Sequence, residues 1–265
     1  MRCPFKSTFV LAFLFALAAG RAFCQEIAIT GPDRSGLLEG EKYTITWAAD
    51  GMQSVSMVAH GALTRMGAKS RGSFQLAIAE GVSAKLEEVR WTVPWIDSAT
   101  FFVKAKGYDS LGRQVVADER RYDFRPAFLA KRTKDGIYLD LRWRTKQRLY
   151  VQKKQRITYV YLSSSSEDYL WLPPGRHLSK PHDHAGAFKV LEKKRLHWSS
   201  LFRVKMPWAM RYHGGHFIHA TSPNLYGLLG QAASGGCNRM TYPDARELYQ
   251  MTPLGTRVEV IGPEG

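Results

Sequence analysis

Tyr43-Thr44-Ile45-Thr46-Trp47 decides how the first half of this chain is read: large apolar side chains at 43, 45 and 47 alternate with threonines, the period-two signature of a strand with one buried face. The same rhythm, rich in β-branched and aromatic residues, recurs at Ile27-Ala28-Ile29, Val55-Ser56-Met57-Val58, Arg90-Trp91-Thr92-Val93 and Phe101-Phe102-Val103-Lys104-Ala105. Gly31-Pro32-Asp33, Ala49-Asp50-Gly51, Val93-Pro94 and Asp109-Ser110-Leu111-Gly112 separate the runs as turns. Such spacing predicts roughly seven strands in about 100 residues, the proportions of a β-sandwich. Trp47 and Trp91 are expected in its core, not on a ligand-stacking surface. Asp97, Asp109 and Asp118 are read as turn residues in preference to a calcium cluster.

The stretch from 25 to 125 resembles the Ig-like modules of cell-surface proteins, with GEKYTITW and the later WTVP carrying the likeness. Arg125-Pro126 and the Lys131 to Gly136 run then read as a linker, which sets a boundary near residue 126 and a second domain from 126 to 265. The charge balance changes at the same place. Of a formal net charge of +15, residues 25–125 contribute nothing, with 13 basic and 13 acidic groups, whereas residues 126–265 hold 22 against 10.

A basic half of that size attracts polyanions, nucleic acid first among them. The start of the chain argues otherwise. Met1 to Lys6 is cationic, Ser7 to Gly20 is a run of small and apolar residues, and Ala22-Phe23-Cys24 supplies small residues at a cleavage position, the layout of a secretory signal peptide over residues 1–24. The expected protein is therefore exported to the periplasm or cell envelope, binds no nucleic acid and is peripheral to a membrane at most. Of three cysteines, Cys3 and Cys24 fall in the leader or at its edge, so a chain cleaved after Cys24 keeps one thiol, Cys237, Ala16-Leu17-Ala18 being the competing cleavage site. A lone thiol in an oxidising compartment forms no internal disulfide and is a liability unless buried or used.

The second half again reads as strands, at 136–140, 147–153, 157–163, 187–191, 217–219 and 257–261, with one short late helix over Tyr242 to Met251, capped by Thr241 with Pro243 in its first turn. The fold class is mainly β. The chemistry gathers at Ser234-Gly235-Gly236-Cys237-Asn238-Arg239. Two glycines let the backbone turn tightly before the thiol and leave the amides of Gly236 and Cys237 able to face an oxyanion. Upstream, His219 ends the apolar run Phe217-Ile218-His219, where an imidazole could take the thiol's proton.

These residues resemble the L,D-transpeptidase (YkuD-type) family, whose signature is a His, fourteen to seventeen residues, then Ser/Thr-His-Gly-Cys, a hydrophobic residue and Asn or Arg. Here fourteen residues separate His219 from Ser234. KQRLYV from Lys146, AGAFKVLEK from Ala185, MPWAMRYHGGHFIHAT from Met206 and the closing TRVEVIG extend the likeness over about 130–262. The resemblance implies a β-rich catalytic domain that acts on peptidoglycan stem peptides through a Cys237 thioester, with release of D-Ala and no metal or cofactor. His219 would be the base, oriented by a carbonyl near Ala220, and the Gly236 and Cys237 amides would hold the oxyanion. Ser234 and Gly235 would shape the loop, Arg239 would bind a substrate carboxylate or brace that loop, and Tyr212 and His216 would assist substrate binding. The acyl acceptor would be a second stem, an envelope protein or water, the last making an L,D-carboxypeptidase.

Two positions depart from the signature: Gly235 stands where many members have His, and Asn238 where a hydrophobic residue is usual. The first leaves open a catalytically inactive peptidoglycan-binding protein on the same scaffold. His213, His216 and His219 recur at intervals of three and invite a zinc reading, with His182 and His184 as further ligands. Strand geometry turns His216 away from His219, and Gly214-Gly215 opposes the helix that would align all three, so no metal is expected.

Overall fold

The computed structural model describes residues 25–263 except 68, 174, 177 and 179; the expected signal peptide, residues 1–24, lies outside them. In chain order the first half forms β1 (Glu26–Gly31), β2 (Gly36–Leu38), β3 (Lys42–Asp50), β4 (Ser54–Ala62), β5 (Arg65–Met66), β6 (Lys69–Ser70), β7 (Ser73–Ser83), β8 (Glu88–Thr92), β9 (Thr100–Tyr108) and β10 (Gln114–Arg125). A three-stranded sheet of order β1-β3-β8 faces a five-stranded sheet of order β2-β10-β9-β4-β7. Alternation sorts the side chains: Tyr43, Ile45 and Trp47 of β3 are buried, as are Val55, Met57 and Ala59 of β4 and Phe101, Val103 and Ala105 of β9. Together with Trp91 and Phe124 they form one core. Each large apolar side chain buried there contributes about 1.5–3 kcal/mol before entropy is counted.

The second half forms β11 (Gly136–Asp140), β12 (Arg148–Lys153), β13 (Arg156–Leu162), β14 (Gly186–Lys189), β15 (Glu192–Ser199), β16 (Val204–His213), β17 (His216–Ala220), β18 (Asn238–Met240), α1 (Tyr242–Met251) and β19 (Arg257–Ile261). They make a five-stranded sheet of order β13-β12-β11-β19-β14 and a four-stranded sheet of order β15-β16-β17-β18. β11 is buried along its whole length because apolar groups cover both its faces. Ile137 and Leu139 join Met210, Ile218 and Met240 in the core between the sheets, whereas Tyr138 and Tyr150 pack outward against Phe128. α1 starts where its sequence says it should. Thr241 Oγ1 accepts the Asp244 amide at 3.2 Å and donates to Asp244 Oδ2 at 2.6 Å, which satisfies an orphan donor of the first turn.

Asp97 does more than make a turn. Its carboxylate accepts two bonds from Arg148, at 2.7 and 2.6 Å, and one from Arg71 at 3.1 Å, so a buried bidentate pair joins the sandwich to β12. A second tie runs from the Gly67 amide to Asp244 Oδ2 on α1, at 2.8 Å.

Candidate active site

Parallel pairing of β17 with β18 sets the site. Ile218 lies opposite Asn238 and His219 opposite Arg239, so Cys237, one residue before β18, continues the ladder toward Phe217. Odd-numbered residues of both segments then share one face. Cys237 packs with Met206, Ala209 and Phe217, and with His219 and Arg239 it lines a cleft of about 570 Å³. A larger hollow of about 1110 Å³, bordered by Asp123, Lys154, Arg156 and Arg257 where the two halves meet, is lined by no cysteine.

His219 is buried, and its Nδ1 donates to the Ala220 carbonyl at 2.7 Å. A carbonyl only accepts, so Nδ1 carries the hydrogen and Nε2 the lone pair. Burial pushes the His219 pKa down to about 4, against the carbonyl's opposing pull, and the ring is a neutral base at neutral pH. Burial likewise pushes the Cys237 thiol up to about 11, although the Phe217 amide and Arg239 favour its anion. The resting pair is thiol and imidazole. Cys237 Sγ lies 3.7 Å from the Gly215 carbonyl.

The loop is held from beneath. Ser234 is buried, and its Oγ accepts the Gly236 amide at 3.1 Å. That amide, expected to face an oxyanion, is turned inward in this structure. Gly236 has φ of +114°, and a Cβ there would lie 3.0 Å from the His182 carbonyl, so both conformation and space demand glycine. Arg239 Nη1 donates to the Ala233 carbonyl at 2.8 Å, which braces the loop. Asn238 is wholly buried yet satisfied: its Nδ2 donates to Tyr212 Oη at 2.8 Å and its Oδ1 accepts from Ser163 at 3.4 Å. A polar network replaces the apolar packing usual under the nucleophile.

Two expected substrate-binding groups are not in the cleft. Tyr212 lies in the core between the sheets, where burial raises its hydroxyl pKa, and its oxygen is engaged by Asn238. His216 points to the face of β17 opposite Cys237, as strand alternation requires, and is buried there with its pKa lowered to about 4, by burial first of all. Phe202, unremarked in the sequence, lines the cleft instead, on the turn between β15 and β16. A Cβ at Gly235 would lie 2.7 Å from Phe202 Cζ, so the ring occupies the volume that a larger residue 235 would take. Periodicity says nothing about a turn residue folding over a loop thirty positions later.

Cys237, the one thiol among the described residues, shares a cleft with a neutral buried imidazole whose second nitrogen is anchored, an arrangement able to support acyl transfer. Residues 136–260 match the YkuD family model, the L,D-transpeptidase catalytic domain. Among solved structures the chain is similar to an L,D-transpeptidase from Stackebrandtia nassauensis at 22% identity, covering 49% of this chain and 58% of that one with a TM-score of 0.38. It is similar to residues 123–326 of the L,D-transpeptidase from Xylanimonas cellulosilytica at 23% identity, over 52% of this chain and 64% of that one, with a TM-score of 0.40. With an L,D-transpeptidase from Mycobacterium smegmatis the identity is 15%, the coverage 89% and 99%, and the TM-score 0.39. The chain thus spans less than two thirds of the first two. No curated protein matches it.

Proposed function

We propose that the protein is an exported, cysteine-dependent L,D-transpeptidase of the periplasm or cell envelope, acting on the tetrapeptide stems of peptidoglycan. One observation carries this reading: Cys237 and His219 line the same cleft within a YkuD catalytic domain, with His219 Nδ1 held by Ala220. His219 Nε2 removes the Cys237 proton as the sulfur attacks the carbonyl of the third stem residue. The tetrahedral oxyanion meets the Cys237 amide, joined by the Gly236 amide when it leaves Ser234. Collapse breaks the peptide bond, and the leaving D-Ala nitrogen takes the proton back from His219. The thioester is then attacked by an amine of a second stem or of an envelope protein, whose proton passes to His219, and the thiol is regenerated. The excess of basic residues beyond 126 suits a polymer rich in carboxylates. An Ig-like module over 25–125 would orient the enzyme in the envelope.

Incubating the protein with disaccharide-tetrapeptide and weighing protein and products, beside Cys237→Ala, tests the proposal. A thioester adduct and free D-Ala in the wild type only are expected, and a tripeptide product alone identifies water as the acceptor. No adduct and no turnover, with retention on peptidoglycan intact, would overturn the enzymatic reading in favour of a wall-binding protein.

A further inference from the structure

Behind the nucleophile loop, across β17 from Cys237, three imidazoles converge. His182, His184 and His216 are 9%, 2% and 6% exposed, and one ligand nitrogen from each lies within 4.8 Å of the other two. They come from distant parts of the chain, His182 and His184 from the segment leading into β14 and His216 from the start of β17. All three rings are oriented in the same manner. His182 Nδ1 meets the Lys180 carbonyl at 2.8 Å, His184 Nδ1 the Leu172 carbonyl at 2.9 Å, and His216 Nε2 the His182 carbonyl at 3.0 Å.

A carbonyl accepts, so each of these nitrogens donates, and each ring's tautomer is fixed with its lone pair on the other nitrogen. A carbonyl that holds the far nitrogen of the ring in this way is what orients metal-ligating histidines. The cation would meet Nε2 of His182 and His184 and Nδ1 of His216, the last buried with no hydrogen-bond partner among the described residues. The buried His216 Nδ1 is costly to desolvate, whereas an apolar side chain would fill the same space without that cost. A cation there reverses the sign.

We propose that His182, His184 and His216 bind a divalent transition cation of the zinc class. Imidazole nitrogen selects such ions over calcium or magnesium. Zinc–nitrogen bonds of about 2.0–2.1 Å in a tetrahedron place ligand nitrogens about 3.3 Å apart, so the rings need to close by about 1.5 Å at most. The His213 ring centroid lies 4.7 Å from that of His184. The proposed site departs from the expectation of no metal, and His219 takes no part in it. Its role is mechanical: the His182 carbonyl that would contact a Cβ at Gly236 belongs to a ligand, so the ion fixes the floor of the nucleophile loop without touching the thiol.

The test uses the full chain stripped with chelator and titrated with Zn²⁺ by calorimetry, in the wild type, Cys237→Ser, His182→Asn and His184→Asn, together with the absorption spectrum of the Co²⁺-loaded wild type. One ion per chain is expected, unchanged in Cys237→Ser and weakened at least tenfold in either histidine variant. Free Zn²⁺ at about a hundred times its dissociation constant should raise Tm by roughly 5–10 °C. Co²⁺ should give tetrahedral d–d bands without a thiolate charge-transfer band. No saturable uptake by the wild type, uptake abolished by Cys237→Ser, or a thiolate band in the cobalt spectrum would each overturn the proposal. The spectrum decides the matter even where a histidine variant fails to fold.

Discussion

Replacing Gly235 with His, which restores the commoner family signature, should destabilise this protein, because Phe202 stands where the new side chain must go. A Cβ at 235 would lie 2.7 Å from Phe202 Cζ and 2.8 Å from Cε1, closer than carbon atoms tolerate, and the yielding group is the end of a movable ring. Phe202 is 44% exposed, so swinging it out forfeits about 1 kcal/mol of the roughly 1.5–3 kcal/mol that full burial of such a ring supplies. Residual overpacking adds at least about 1 kcal/mol. The expected loss is about 2 kcal/mol, a Tm lower by roughly 4–8 °C. Phe202→Ala alone should cost about 1 kcal/mol, and in the double variant the imidazole enters the vacated space at little further cost. Urea unfolding of the four proteins should therefore give a coupling of at least about 1 kcal/mol. Effects additive within about 0.5 kcal/mol would refute the idea that ring and side chain compete for one volume.

Alkylation of Cys237 by iodoacetamide should accelerate with pH through neutrality without a plateau below about pH 10, because burial holds the thiol up to about 11; a plateau near neutral pH would instead reveal a resting thiolate. The His219 pKa is lowered from 6.5 to about 4, so the unfolded state takes up this proton first, and the stability due to the neutral ring is complete above 6.5 and lost as pH falls toward 4. His219→Gln should accordingly flatten the acid limb of a stability–pH curve and abolish acylation by tetrapeptide. Asp97→Asn leaves the buried Arg148 guanidinium undercompensated and should cost about 3–5 kcal/mol in denaturant unfolding, with part regained in Asp97→Asn combined with Arg148→Met. Thr241→Ala, which removes the cap of α1, should cost about 1 kcal/mol in the same assay.

Alternation made β1, β3, β4, β8 and β9 legible, because each buries every second side chain against one core. The late helix was legible to the residue, since Thr241, Pro243 and Asp244 all act locally. β15 and β16 were not. In β15 the Lys193-Lys194-Arg195 run reads as a solvated face, and its side chains are indeed largely exposed, so no apolar period marks the strand. β16 carries Pro207 and a positive φ at Trp208, both of which interrupt the pattern that identifies strands. For the site, Cys237 and His219 announce themselves by residue type and spacing. The turn that brings Phe202 over Gly235, and the approach of the 182–184 segment to β17, depend on tertiary packing that no local period encodes.

The Asp97–Arg148 fork and the Gly67–Asp244 bond fix the sandwich to the second half at two separate points, one on β12 and one on α1. Two points of attachment stop a body from swivelling where one would not. Whatever surface the sandwich rests on therefore lies at a set distance and angle from the sulfur of Cys237. If the protein acts on peptidoglycan as proposed, the first half would work as a ruler, deciding how deep into that layered polymer the thiol can reach.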